Sequence, residues 1–341
     1  MSAAEEIIAR VAARTMRWNF RLWGFGEGVA LRGLLAADQA TGGGQYFGFV
    51  EALLRAYLGR GVARSNEDHV APGAELLEFY GQTGEAEFLE AARSLAALHA
   101  AFPVNRFGAR MHRPDMPGWR RQIWVDSMDV DAPFLARLAA ATGDGRYLTQ
   151  AEGEIVGYAR ALQDEATGLF WHGFEEDCGQ NGQLWARGQG WALMGLVATL
   201  KLLPQSEACV PELGERLRGQ CRALAGRQRA DGLWHTVVDR PETYAESTLA
   251  VMAAWALREA FGAGLLDETE FGGMERAARA AALRLVGGDG ALGLVSEATP
   301  VGELKMYATR RFGLFPWGQG PLLMMLAQRP ADDTDWADHH G

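Results

Sequence analysis

Two punctuation marks recur along this chain and limit what it can fold into. A Thr-Gly step breaks apolar segments at Thr41-Gly42, Thr83-Gly84 and Thr142-Gly143, and an aromatic follows each within a few residues, at Tyr46, Phe88 and Tyr147. Apolar residues then return at spacings of three and four, as at Phe88, Ala92, Leu95 and Leu98, the period of one helix face. The second mark is a tryptophan with glycines leading into an apolar run: Trp23-Gly-Phe-Gly-Glu-Gly28, Trp185-Ala-Arg-Gly-Gln-Gly190 and Trp317-Gly-Gln-Gly320. Residues 191–203 carry Trp191, Leu193, Met194, Leu196, Val197, Leu200 and Leu203, too continuously apolar for a helix with one wet side. Such helices belong to an inner layer, and the segments around the Thr-Gly steps look like helix-turn-helix units.

About six outer-inner helical hairpins fit along the chain, and no long alternating pattern argues for strands. Repeats of this kind stack on their neighbours and close into an all-α toroid, with the glycine- and tryptophan-rich helix entries lining its cleft. The 341 residues are many for one core, yet no Pro/Ser-rich linker divides them. We therefore expect one domain over residues 1–330 and a frayed tail over 331–341. Asp267-Glu-Thr-Glu270 reads as a capping box ahead of Met274-Glu-Arg-Ala-Ala-Arg. Gly168-Leu-Phe-Trp-His172 and Gly232-Leu-Trp-His235 echo each other where helical patterns lapse, and read as loops.

A formal charge of -10 argues against phosphate backbones and anionic membranes as partners, because both attract clustered basic surface. Cys178, Cys209 and Cys221 show no Cys-x-x-Cys spacing, so neither a metal site nor a disulfide framework is expected. No cofactor motif stands out, and Gly188-Gln-Gly190 lacks the lysine of a phosphate loop. The N-terminus has no signal-peptide pattern and no apolar run of about 18 residues follows, which points to the cytoplasm. Oligomeric state leaves no mark in the sequence.

The chemistry concentrates at Gln122-Ile-Trp-Val-Asp126, with Trp171-His172 and Trp185-Ala-Arg187 downstream. Aromatic rings stack on the apolar faces of pyranoses, an arginine can fork a carboxylate, and a desolvated aspartate can hold a proton. Asp126 is the candidate catalytic residue of a sugar site. Aspartate is equally a favoured N-cap, so capping competes for Asp126 and Asp68. For Arg187 the competing role is a structural ion pair, for Trp185, Trp191 and Trp317 packing, and His235 reads best as a satisfied loop histidine.

Trp124-Val-Asp126, Phe170-Trp-His172, Trp185-Ala-Arg-Gly-Gln-Gly-Trp191 and Asp231-Gly-Leu-Trp-His235, taken in that order, resemble the unsaturated rhamnogalacturonyl hydrolases of glycoside hydrolase family 105, relatives of the unsaturated glucuronyl hydrolases. The likeness runs from Trp23 to about Trp317. It implies an (α/α)6 barrel and removal of a 4,5-unsaturated uronic acid from the non-reducing end of lyase-generated oligosaccharides, as in pectin degradation. It also implies Asp126 as general acid and base, Asp68 as a substrate-binding aspartate, and His172, Trp185 and Arg187 as sugar-pocket residues. Asp129 and Asp131 depart from the family pattern, and Phe25 stands where an aromatic hydroxyl is expected. The stretch Met111-His-Arg-Pro-Asp-Met-Pro-Gly-Trp-Arg-Arg121 is placed to shape the pocket.

One aspartate suffices for such a substrate. The C4=C5 bond is an enol ether, so protonation at C4 builds oxocarbenium-like charge at C5, where water adds. An acid working near neutrality needs burial or a neighbouring like charge. Trp124 is expected to supply the first, and Asp129, three residues on, the second. Arg187 is expected to pair with the uronate carboxylate, Trp185 or Trp191 to stack on the ring, and Asp68 and His172 to hold hydroxyls. The rivals are a conventional inverting glycosidase, with Glu175 or Asp177 as second acid, and a non-catalytic carbohydrate-binding protein.

Overall fold

In a computed structural model that describes residues 2–20, 24–62 and 70–328, the chain is an (α/α)6 barrel. The inner ring consists of α2 (Phe25–Thr41), α4 (Gly73–Thr83), α6 (Ser127–Thr142), α8 (Ala186–Leu200), α10 (Thr248–Gly262) and α13 (Pro316–Ala327), each packed on the next, with α13 closing onto α2. Around it lie α1 (Ala3–Thr15), α3 (Gln45–Gly59), α5 (Ala86–Ala100), α7 (Gly145–Leu162), α9 (Val210–Ala225) and α11 (Glu268–Arg284). A short α12 (Leu304–Ala308) precedes α13. Every residue of α8 is buried, as its unbroken apolar run requires, whereas α7 and α9 keep a wet side.

The Thr-Gly steps are the C-terminal ends of α2, α4 and α6. Gly42, Gly84 and Gly143 adopt the left-handed conformation at φ 69°, 72° and 69°, which costs glycine nothing and lets the chain reverse at once into the next outer helix. Each preceding threonine hydroxyl donates back to the carbonyl four residues earlier, at 2.9 Å for Thr41, 3.0 Å for Thr83 and 2.6 Å for Thr142. Other glycines set the inner ring's tightness. A Cβ at Gly195 would lie 2.2 Å from the Met128 carbonyl oxygen, and one at Gly320 would lie 2.3 Å from that of Val29. Neighbouring inner helices thus touch backbone to backbone.

Among the described residues five very short strands lie in the connections: β1 (Gln122–Trp124), β2 (Gly173–Glu175) and β3 (Gly179–Gln180) in one antiparallel sheet, β4 (Trp234–His235) and β5 (Ala245–Glu246) in another. At two or three residues each they are too short for an alternating pattern to register. Helix α11 starts at Glu268, directly after Asp267 as the sequence suggests, and Asp267 caps it through Thr269 N–H at 2.8 Å. No described helix is long and apolar enough to cross a membrane. Asp68, Trp23 and the tail over 331–341 lie outside the described residues.

Candidate active site

The inner helices all begin at one end of the barrel, and a cavity of about 480 Å³ lies there. Four helix starts wall it: Phe25 to Glu27 on α2, Asp126 ahead of α6, Trp185 and Arg187 at α8, and Pro316 with Trp317 at α13. Helix N-termini carry partial positive charge, so the site favours an anionic ligand although the chain as a whole is acidic.

The short sheet aims Asp126. Trp124 of β1 pairs with Gly173 of β2, and Val125 N–H donates to the His172 carbonyl at 2.9 Å, so the ladder sets Asp126 beside His172. Only glycine fits at 173, since a Cβ there would lie 2.7 Å from a Val301 methyl. Asp126 directly precedes α6 but its side chain caps nothing, which disposes of the capping role. Its side chain is 8% exposed and lines the cavity. Oδ2 is shielded from solvent and stands 3.3 Å from His172 Nε2, a long contact that is off line for a full hydrogen bond.

His172 is wholly buried and does not line the cavity, so it stands behind Asp126 rather than facing a sugar hydroxyl. Its Nδ1 lies 2.7 Å from the Tyr307 hydroxyl. Burial depresses its pKa, Asp126 opposes and nearby Arg187 adds to the depression, leaving the imidazole neutral.

Arg187 departs from its expected role. Its Nη1 donates to Glu246 Oε1 at 2.7 Å and to Ser296 O and Oγ at 2.9 and 3.0 Å. Its Nη2 donates to Glu297 O at 2.9 Å and Thr299 Oγ1 at 3.2 Å, and the guanidinium stacks 4.4 Å from the Trp185 ring. With Nη1 occupied by Glu246 and Ser296 and Nη2 by Glu297 and Thr299, the fork expected for a uronate is already engaged. Arg187 instead pins residues 296–299 to the start of α8 and forms part of the wall.

Trp191 is corrected too. It packs edge-on against Phe25, centroids 5.4 Å apart, and lies behind the wall rather than in it. Trp185 and Trp124 both line the cavity. Trp317, read as packing, also lines it, stacked on Phe25 at 5.6 Å and donating from Nε1 to Ser296 O at 2.9 Å.

The stretch 111–121 contributes three lining residues. His112 stacks on Trp124 at 4.3 Å, Trp119 leans on the same ring at 4.8 Å, and Arg113 lies over Trp119 at 5.4 Å. Among the described residues Arg113 pairs with no carboxylate.

The other acids are accounted for. Asp129 pairs with Arg32 of α2, 3.4 Å to Nη1 and closer to Nη2, an ion pair within the inner ring. Asp131 points outward and accepts from Tyr158 OH at 2.8 Å. Glu175 accepts from Gln122 Nε2 at 3.1 Å, and Asp177 pairs with Arg121 at 2.9 Å; neither lines the cavity. Glu27 does line it, but Oε2 is turned to the Gly24 N–H at 3.3 Å. His235 contacts Thr243 O at 2.7 Å and Arg229 at 2.9 Å, a structural histidine. The ligand-type atoms of His99, Asp131 and Glu154 lie within 4.8 Å of one another. Arg110 (2.9 Å) and His99 (2.8 Å) already hold the Glu154 oxygens, away from the cavity.

Residues 3–330 match the sequence model of Glycosyl Hydrolase Family 88. The chain is 28% identical over 331 residues to the unsaturated rhamnogalacturonyl hydrolase YesR of Bacillus subtilis, covering 94% of this chain and 93% of that protein. Its fold superposes with a TM-score of 0.87 on a possible member of the GH105 family from Salmonella enterica, at 22% identity over 95% of this chain and 92% of that one. A possible GH105 member from Klebsiella pneumoniae also gives 0.87, at 23% identity over 96% and 93% of the two chains.

Proposed function

The chain belongs to Glycosyl Hydrolase Family 88, and from that premise we propose that it removes a 4,5-unsaturated uronic acid from the non-reducing end of lyase-generated oligosaccharides. The observation that carries this reading is that, among the described residues, the carboxylates lining the aromatic cavity are Asp126, whose side chain caps nothing, and Glu27, whose Oε2 is turned to its own helix start. Conventional glycoside hydrolysis uses two carboxylates flanking the bond. Glu175 and Asp177, the candidates for the second acid, stand elsewhere. Hydration of a vinyl ether needs only one group that gives and then takes a proton. The substrate type of the Bacillus subtilis relative, matched over nearly its whole length, supports the same reading.

Asp126 donates its proton to C4, and cationic charge develops at C5 and the ring oxygen. Water adds at C5 and returns a proton to Asp126. The resulting hemiketal opens and the glycoside leaves. Trp124, Trp119 and Trp185 offer apolar faces to the sugar rings, and excluding water strengthens every charge interaction inside. The uronate carboxylate is held by Arg113, the lining guanidinium without a carboxylate partner among the described residues, in place of the occupied Arg187. Asp68 retains the substrate-binding role that the resemblance implies.

Incubating the protein with unsaturated disaccharides of defined linkage tests the proposal. Loss of the ultraviolet absorbance of the conjugated double bond, with release of the second sugar, is expected. Release from saturated sugars alone would move the protein to conventional hydrolysis, and tight binding without product would make it a carbohydrate-binding protein.

A further inference from the structure

We infer that Tyr307 and Asn181 lock His172 as the Nε2–H tautomer, so that the proton Asp126 transfers sits on its Oδ1. The inference rests on the reaction proposed above and adds two positioning residues to it.

The argument is a count of donors and acceptors. Asn181 Oδ1 accepts from Gly173 N–H at 3.2 Å, which fixes the orientation of the amide. Its Nδ2 then donates to Gly302 O at 3.3 Å and to the Tyr307 hydroxyl at 3.0 Å. Gly302 N–H also points at that hydroxyl, from 3.4 Å. A phenol oxygen has one hydrogen to give and two lone pairs to fill. With two donors aimed at it, Tyr307 must give its hydrogen to its remaining polar neighbour, His172 Nδ1 at 2.7 Å. Burial pushes the Tyr307 phenol well above its ordinary pKa, so the hydrogen is always there to give.

Nδ1 is therefore a bare lone pair. In a neutral imidazole the proton must then be on Nε2, which faces Asp126 Oδ2 at 3.3 Å. An Nε2–H facing Oδ2, even off line at 3.3 Å, disfavours a proton on that oxygen and favours Oδ2 as the bare one. Oδ2 is also shielded from solvent, so Oδ1 is the oxygen left to face the cavity. His172 passes no proton to the sugar. Its Nε2–H dipole lies beside the carboxyl group and stabilises the negative charge that remains on Asp126 when the proton leaves. Tyr307 sits on α12, 135 residues from His172, with no motif to announce it.

Long-range nitrogen–proton correlation spectra of the full-length wild-type protein test this directly, with the His172 ring signals assigned by their loss in His172→Asn. The chain has 7 histidines, few enough to separate. A neutral Nε2–H ring is expected at neutral pH; an Nδ1–H ring or an imidazolium would overturn the inference. In Tyr307→Phe the single-tautomer signature is expected to disappear, and kcat to fall about tenfold or more while KM stays within about twofold, as when an imidazole loses the partner that sets its tautomer. A Tyr307→Phe protein with wild-type spectrum and kcat would overturn it as well. If the wild-type protein leaves every unsaturated substrate intact, the functional reading fails, whereas the spectra still decide the tautomer.

Discussion

The two ends of the barrel are built from the same helices by opposite rules. At one end three of the inner helices, α2, α4 and α6, stop at a Thr-Gly step and the chain turns within a few residues, from Thr41 to Gln45, Thr83 to Ala86 and Thr142 to Gly145. A hydroxyl, a left-handed glycine and a backbone hydrogen bond complete each turn, all within one stretch of sequence. At the other end the connections are long, from Ala100 to Ser127 or Arg284 to Pro316, and their side chains find partners far along the chain. Arg187 meets Glu246 and Ser296, Asp129 meets Arg32, and His172 meets Tyr307. Local chemistry closes the first end, and long-range pairing leaves the second open enough to hold a ligand.

Substitutions at the two ends should separate accordingly. The largest effect belongs to Asp126→Asn, which should cut kcat by about 10²–10⁴-fold, the range of general acid-base catalysis, with little change in the unfolding midpoint; an active variant would remove Asp126 from the chemistry. Next, Arg187→Met strands the buried Glu246 charge and should lower stability by about 3–5 kcal/mol in denaturant titration. Adding Glu246→Met should recover part of it, and a single variant of wild-type stability would mean that the strap over 296–299 is held by other contacts. Arg113→Gln should raise KM about tenfold, or roughly 1.4 kcal/mol, at nearly constant kcat; an unchanged KM would put the carboxylate in other hands. The smallest effect is expected at the tight end. Gly84→Ala meets no atom within 4 Å, so it should cost only about 1 kcal/mol of left-handed strain and leave kcat/KM alone. A kinetic defect there would break the division between the ends.

The same division explains what the sequence could disclose. The outer-inner alternation was legible because its signals, the Thr-Gly stops and the unbroken apolar run of α8, are contained in the segments themselves. The shared place of Trp124 and Asp126 in the cavity was legible because β1 and α6 adjoin in the chain, so the two travel together. Arg187 was recognised as important but given the wrong partner, since nothing near residue 187 points to Glu246 or to the carbonyls at 296 and 297. The partner of Asp129, Arg32 on the first inner helix, was hidden for the same reason. Trp191 follows the Gly-Gln-Gly of one motif and Trp317 precedes that of the other, and one backs the wall while the other faces the cavity. Helical spacing does not say which. Arg113, Trp119 and His112 fall in a stretch noticed only for its composition, and Tyr307 in one with no signal at all.

The seam between α13 and α2, where Gly320 touches Val29, carries a consequence for biosynthesis. It joins helices from opposite ends of the polypeptide, and Trp317, Pro316, Phe25 and Glu27 meet across it to form one side of the cavity. A nascent chain can assemble its early hairpins as they emerge, but the ring stays unsealed until the last inner helix leaves the ribosome. Catalytic competence should thus be the final property the molecule acquires, and truncations that remove α13 should forfeit it while sparing much of the helix content.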